Sequence, residues 1–138
     1  MDRLPVVVLS GFLGSGKTTL LNRWLRERQD LAVIINELGD IGIDQHLTGE
    51  SRVPVTLLSG GCLCCVIQGT LSSTLRNLFM ARKNGELPPF STLVLETTGA
   101  ADPFGVTAPL EQDPWLQKRF FCQSVLTVVD AFQQPGVL

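Results

Sequence analysis

Long apolar runs, clustered basic residues, low-complexity stretches and histidine are what this 138-residue chain is short of. The apolar stretch near its start, Leu4-Pro5-Val6-Val7-Val8-Leu9, follows acidic Asp2 and is too short for a signal-peptide core or a membrane span. The 11 Lys and Arg are scattered and outnumbered by 13 Asp and Glu, for a net charge of −2. That balance argues against a nucleic-acid or anionic-membrane surface. No internal repeat or low-complexity linker divides the chain, so residues 1–138 read as one domain. A cytoplasmic location is expected, and there cysteines stay reduced and serve as ligands or nucleophiles rather than disulfides. The single histidine, His46, is by itself a weak ligand candidate.

What is present is a globular composition, 44% hydrophobic and 17% charged, with enough chain to bury a real core. Residues 11–18 read Gly-Phe-Leu-Gly-Ser-Gly-Lys-Thr directly after the apolar run. A strand followed by Gly-x-x-x-x-Gly-Lys-Thr is the context of a phosphate-binding P-loop. A nucleotide's phosphates must be met by several backbone N–H groups at once, so Gly11, Gly14 and Gly16 keep side chains out of the way. Ser15 and Thr19 complete the loop and the first turn of a helix whose unpaired N–H groups favour an anion. Lys17 would reach the β- and γ-phosphates, and the Thr18 hydroxyl would bind Mg²⁺. Average residue usage puts a chance match on the order of one in a few hundred for a chain this long.

Apolar, β-branched runs at Val6–Leu9, Leu31–Ile35, Val53–Leu58, Thr92–Leu95 and Val125–Val129 predict strands covered on both faces. Helical spacing predicts helices over Thr18 to Arg28 and Thr70 to Lys83, the second stopping near Gly85, with a short helix opening at Asp102-Pro103. Alternating strand and helix implies a three-layer α/β fold of the P-loop type with a mostly parallel sheet. Trp24, Trp115 and Cys122 read as packing residues. The chain stops eight residues after Asp130, short of the further strand and helix such a sheet needs, which suggests the N-terminal portion of a longer domain.

Two more signals carry chemistry. Gly60-Gly61-Cys62-Leu63-Cys64-Cys65 packs three cysteines into four positions, and thiolates suit Zn²⁺ and other soft or borderline metals. Read as a turn, the cluster could not aim every thiol into one tetrahedral shell. Two cysteines with ligands from the loop Glu37 to Gly49, which holds Asp40 and His46, are the expected arrangement. Leu93-Val94-Leu95-Glu96-Thr97-Thr98-Gly99 ends an apolar strand in an acid with a glycine three residues on. In a P-loop protein that carboxylate orders the Mg²⁺ shell and the glycine N–H senses the γ-phosphate, so Glu96 and Gly99 join Lys17 and Thr18 as catalytic candidates.

These motifs together resemble the CobW-type metallochaperone GTPases, relatives of the urease and hydrogenase nickel-insertion GTPases in the SIMIBI class. The resemblance rests on the P-loop, Asn36-Glu37-Leu38-Gly39-Asp40 with Ile43-Asp44, the Cys-x-Cys-Cys motif, and Glu96-Thr97-Thr98-Gly99-Ala100-Ala101-Asp102-Pro103. It runs from Leu4 to about Ala131. It implies a GTPase whose metal site lies between nucleotide and switch loop, formed by Asp40, Cys64 and Cys65 with Cys62 in support. Asp40 stands where the family more often has Glu, one methylene longer, so its contact with metal could pass through water. The family's guanine-reading Asn-Lys-x-Asp does not occur in this sequence, so GTP as the nucleotide is implied by the resemblance.

The implied activity is slow GTP hydrolysis, with no arginine finger in the chain, coupled to binding and transfer of a transition metal, zinc first. The implied cofactors are GTP, Mg²⁺ and Zn²⁺. The implied partners are nucleotide, metal ion and a client metalloprotein or metallocofactor pathway; a homodimer is left open. Two alternatives stand beside it: an ATP-dependent P-loop kinase or ATPase, and a non-enzymatic zinc store or sensor. Lys17→Ala is expected to abolish nucleotide binding without affecting the fold.

Overall fold

The structure, a computed structural model, describes residues 3–11, 17–36, 55–58, 61–67, 70–97 and 103–128. Its elements in chain order are β1 (Leu4–Gly11), α1 (Lys17–Glu27), β2 (Leu31–Asn36), β3 (Val55–Leu57), β4 (Leu63–Val66), α2 (Leu71–Lys83), β5 (Thr92–Thr97), α3 (Pro103–Gln112), α4 (Pro114–Gln117) and β6 (Phe120–Val128). The six strands form one sheet in the order β3-β4-β2-β5-β1-β6. Every pairing is parallel except β3 with β4. The mostly parallel, three-layer arrangement expected from the alternating pattern is what forms.

Helices cover both faces, which is why the central strands are almost continuously apolar. On one face Val6, Val8, Ile34, Leu93 and Leu95 meet Leu75, Leu78 and Phe79 of α2, Leu110 of α3 and Leu116 of α4. On the other face Leu9, Leu31, Val33 and Val94 meet Leu20, Leu21, Trp24 and Leu25 of α1. These four α1 residues form the i, i+4 stripe that the helix needs to seat itself on a sheet. Trp115 packs edge-on against Phe79 at 5.5 Å between ring centroids, so both tryptophans are packing residues. Cys122 is half-buried on β6 and touches the α2-side core.

Local chemistry sets the element ends. The Thr70 side chain accepts from the Ser73 N–H and caps α2, so the helix starts one residue later than the spacing alone indicates. Asp113 caps the short α4, with Pro114 at its first position. Between β3 and β4 the chain turns through Gly61, whose φ of +99° is a conformation that L side chains rarely adopt. The Leu58 N–H donates to Cys62 O at 2.8 Å and the Gly61 N–H to Leu58 O at 3.0 Å, closing the turn.

The outer strands β3 and β6, expected to be covered on both faces, instead expose Leu57, Val125 and Leu126 because they lie at the sheet's two edges. Three further elements differ in form or extent from the sequence reading. The cysteine cluster is a strand, β4, rather than a turn, because Leu63 to Val66 finds a parallel partner in β2. Strand β6 begins at Phe120, five residues before its β-branched segment, because β1 supplies hydrogen-bonding partners along that whole length. The helix opening at Pro103 runs to Gln112, with Pro109 inside it, and α4 follows after Asp113.

Candidate functional site

In a parallel sheet, ligands bind beyond the carboxyl ends of the strands, and the candidate chemistry converges there. Strand β1 ends at Gly11 and β5 ends at Thr97, neighbours in the sheet with Leu9 level with Glu96. Gly11 has φ +152°, again a conformation suited to glycine, at the point where the chain leaves the sheet. Helix α1 opens at Lys17, as the motif requires of a phosphate-binding helix.

Lys17 is 4% exposed, and its ammonium is held by three oxygens. It lies 2.6 Å from Glu96 Oε1 and donates to Thr97 O at 2.6 Å and Gly11 O at 3.1 Å. The buried charge is thus paired with a carboxylate and hydrogen-bonded to two backbone carbonyls. The Glu96 side chain is 12% exposed. The arrangement sets a cation and a carboxylate side by side at the ends of two neighbouring strands, the two charges that a phosphate–Mg²⁺ pair needs to meet.

The cysteine motif occupies the strand next to β2. Cys62, 1% exposed, precedes β4, and its thiol donates to Arg28 O just beyond α1 at 3.1 Å. Within β4, Leu63 and Cys65 belong to the α2-side core, whereas Cys62 belongs to the α1-side core. Cys64 pairs with Val33, an α1-side residue, so it shares that face too. Successive strand residues point to opposite faces, and the structure therefore does not bring Cys64 and Cys65 to the same side of the sheet.

Cys64 does share a face with Glu96. Ile35 pairs with Glu96 on β5 and with Val66 on β4, which puts Cys64 two residues below the level of Glu96 and two strands away. Strand spacing and rise make that roughly 12 Å between Cα atoms. Burial pushes the Cys64 thiol above its ordinary value, and the negative charge of Glu96 raises it further. Cys65 is pushed up to about 12, by burial first and then by Cys64 beside it. In this arrangement both are neutral thiols at neutral pH.

Several predicted residues lie outside the described ones: Gly14, Ser15, Gly16, Asp40, His46 and Gly99, together with the Glu37–Gly49 loop and the side chain of Thr18. Thr19 stands exposed in the first turn of α1. Among the described residues no three His, Cys, Asp or Glu side chains gather as a metal cage. The sequence reading missed the two strand-end carbonyls that grip Lys17, because backbone acceptors leave no compositional trace. It also missed the bond from Cys62 to Arg28. A cavity of about 240 Å³ lies on the α1 face, lined by Trp24, Arg28, Thr92, Ser124 and Leu126 among others. It lies toward the strand starts, away from Lys17 and Glu96. No helix among the described residues is long and apolar enough to cross a membrane.

Comparison with known proteins agrees with this geometry. The model of the CobW/HypB/UreG nucleotide-binding domain matches residues 5–135. The zinc chaperone YjiA of Escherichia coli is 36% identical over 133 residues, covering 95% of this chain and 42% of that protein. The zinc chaperone CobW of Pseudomonas aeruginosa is 38% identical, covering 95% and 36%. The zinc-regulated GTPase metalloprotein activator 1 of Schizosaccharomyces pombe is 34% identical, covering 100% and 34%. The crystal structure of Zn(II)-bound YjiA GTPase from E. coli superposes with a TM-score of 0.74 at 35% identity, over 92% of this chain and 40% of that one. The chain spans less than half the length of these relatives. With strand-end chemistry, topology and sequence in agreement, it belongs to the CobW/HypB/UreG family and carries that family's nucleotide-binding domain over residues 5–135.

Proposed function

We propose that this chain is the nucleotide-binding part of a cytoplasmic GTP-hydrolysing metallochaperone that holds a transition metal, zinc first, and passes it to a client. The observation that carries the reading is Lys17, clamped between Glu96 and the ends of β1 and β5, with Cys64 on the same face of the sheet. The zinc-chaperone and GTPase relatives support it.

The clamp tells how the site would respond to nucleotide. An arriving phosphate offers Lys17 a stronger acceptor than two neutral carbonyls, so the ammonium would swing from Gly11 O and Thr97 O toward the β- and γ-phosphates. Glu96, released from the ion pair, would then hold the water shell of Mg²⁺, and Thr18 would contact the ion directly. Bound there, Mg²⁺ neutralises charge developing on the transferred phosphoryl group. Gly11, Gly14, Ser15, Gly16 and Thr19 would line the phosphates, and Gly99 would sense the last one. With no arginine finger in the set, unassisted turnover would be slow.

Cys64 and Cys65, with Asp40 and with Cys62 in support, would hold the metal. Because Glu96 belongs to the nucleotide site and already acts electrostatically on Cys64, nucleotide state and metal affinity should be coupled, and reciprocally so. The test is Zn²⁺ affinity of the reduced protein by chelator competition, with and without a non-hydrolysable GTP analogue and Mg²⁺. A severalfold change is expected. Tight zinc binding that ignores nucleotide would replace this reading with a store or sensor, and preference for ATP over GTP would replace it with an ATP-dependent enzyme.

A further inference from the structure

Strand β4 is four residues long and displays its two adjacent cysteines on opposite sides of the sheet. Two sulfurs on one tetrahedral zinc lie roughly 3.8 Å apart, a separation that side chains diverging from a pleated strand do not reach. Cys65 is 3% exposed and packed in the α2-side core with Leu63 and Ile34, so an ion meeting it in place would have to enter apolar packing. Cys64 lies on the side of α1 and Glu96.

We propose that capture of one metal ion by Cys64 and Cys65 together requires β4 to leave its pairing with β2 and β3, which makes this strand the moving part of the metal site. The proposal rests on the metallochaperone reading above and says how the vicinal pair could enter one shell.

The fold makes β4 the element able to move. Its outer neighbour β3 is three residues long, with Thr56 and Leu57 exposed, so little packing holds that side. Its inner neighbour β2 is the opposite case: Leu31 to Ile34 are all fully buried and pair with β5 as well. The anchor lies just before the strand. Gly61 turns the chain and the Cys62 thiol is tied to Arg28 O, so β4 could unpair from Leu63 onward while its start stays fixed. Rotation about the backbone between Cys64 and Cys65, barred while the ladder holds both residues extended, would then let the thiols converge.

The test is amide hydrogen exchange of the reduced full chain with one equivalent of Zn²⁺, with and without a GTP analogue and Mg²⁺, with Co²⁺ absorption reporting thiolate ligation in parallel. The expected result is a thiolate–cobalt band with a zinc-driven loss of protection of about tenfold or more at Cys64, Cys65 and Val66, while β1, β2 and β5 are unchanged. Cys65→Ser should remove both the zinc-driven loss and part of the cobalt band. A full thiolate band with β4 still protected, insensitive to Cys65→Ser, would overturn the proposal and leave the metallochaperone reading intact. No thiolate band with or without nucleotide would overturn both.

Discussion

Replacing Lys17 by methionine tests the clamp at its centre. Methionine keeps the unbranched apolar stem but carries no charge, so Glu96, 12% exposed, loses the cation 2.6 Å away, and Gly11 O and Thr97 O lose a donor. Removing one partner of a buried ion pair costs about 3–5 kcal/mol, because the other is left charged and desolvated. Urea denaturation of the nucleotide-free protein should therefore show Lys17→Met destabilised by about 3–5 kcal/mol at pH 7. The double variant with Glu96→Gln should recover most of the loss, since no charge is then stranded. A Lys17→Met cost below about 1 kcal/mol at pH 7 would refute the clamp as described. Because the side chain is part of the core's electrostatics, a Lys17 substitution is expected to lower stability, and not nucleotide binding alone.

Gly61→Ala should cost about 1–3 kcal/mol in the same assay, because φ is +99° and the added carbon would sit 3.3 Å from Gln29 O. Thr70→Ala should cost about 1 kcal/mol by leaving the Ser73 N–H uncapped, with Thr70→Ser largely neutral. Leu75→Ala, at the fully buried centre of the α2 face, should cost about 2–5 kcal/mol, read as a shift of the urea midpoint without a change in slope. Cys65, pushed up to about 12, contributes stability that is fully present below the ordinary thiol value near 9 and is lost as pH rises from there toward 12. The metal-free protein should therefore become less stable at alkaline pH, and Cys65→Ala should flatten that slope. At pH 8, iodoacetamide should label Cys65 far more slowly in the native protein than in urea.

Much of the site could be read before folding is considered, because its signals are local. The P-loop needs its glycines, lysine and threonine at set spacings after a strand, so eight consecutive residues identify it. The α1 stripe Leu20, Leu21, Trp24 and Leu25 and the continuous apolar β1 depend on periods of four residues or fewer. Strand β4 was not legible in the same way. Four apolar residues between glycines and a polar stretch fit a turn as well as a strand, and only the free edge of β2 decides between them.

By itself, then, the sequence determined the elements that neighbouring residues specify: strands, helices, the nucleotide loop, the acid that ends β5 and the cysteine-rich segment. Tertiary structure alone decided which of these meet. It laid β5 beside β1, so that Glu96 and Thr97 O, far from Lys17 along the chain, close on its ammonium. It also assigned each cysteine its face, with Cys62 and Cys64 toward α1 and Cys65 toward α2, because a one-residue step along a strand reverses the side chain's direction. Strand order and facing are properties of pairing between distant segments, and no short-range pattern encodes them.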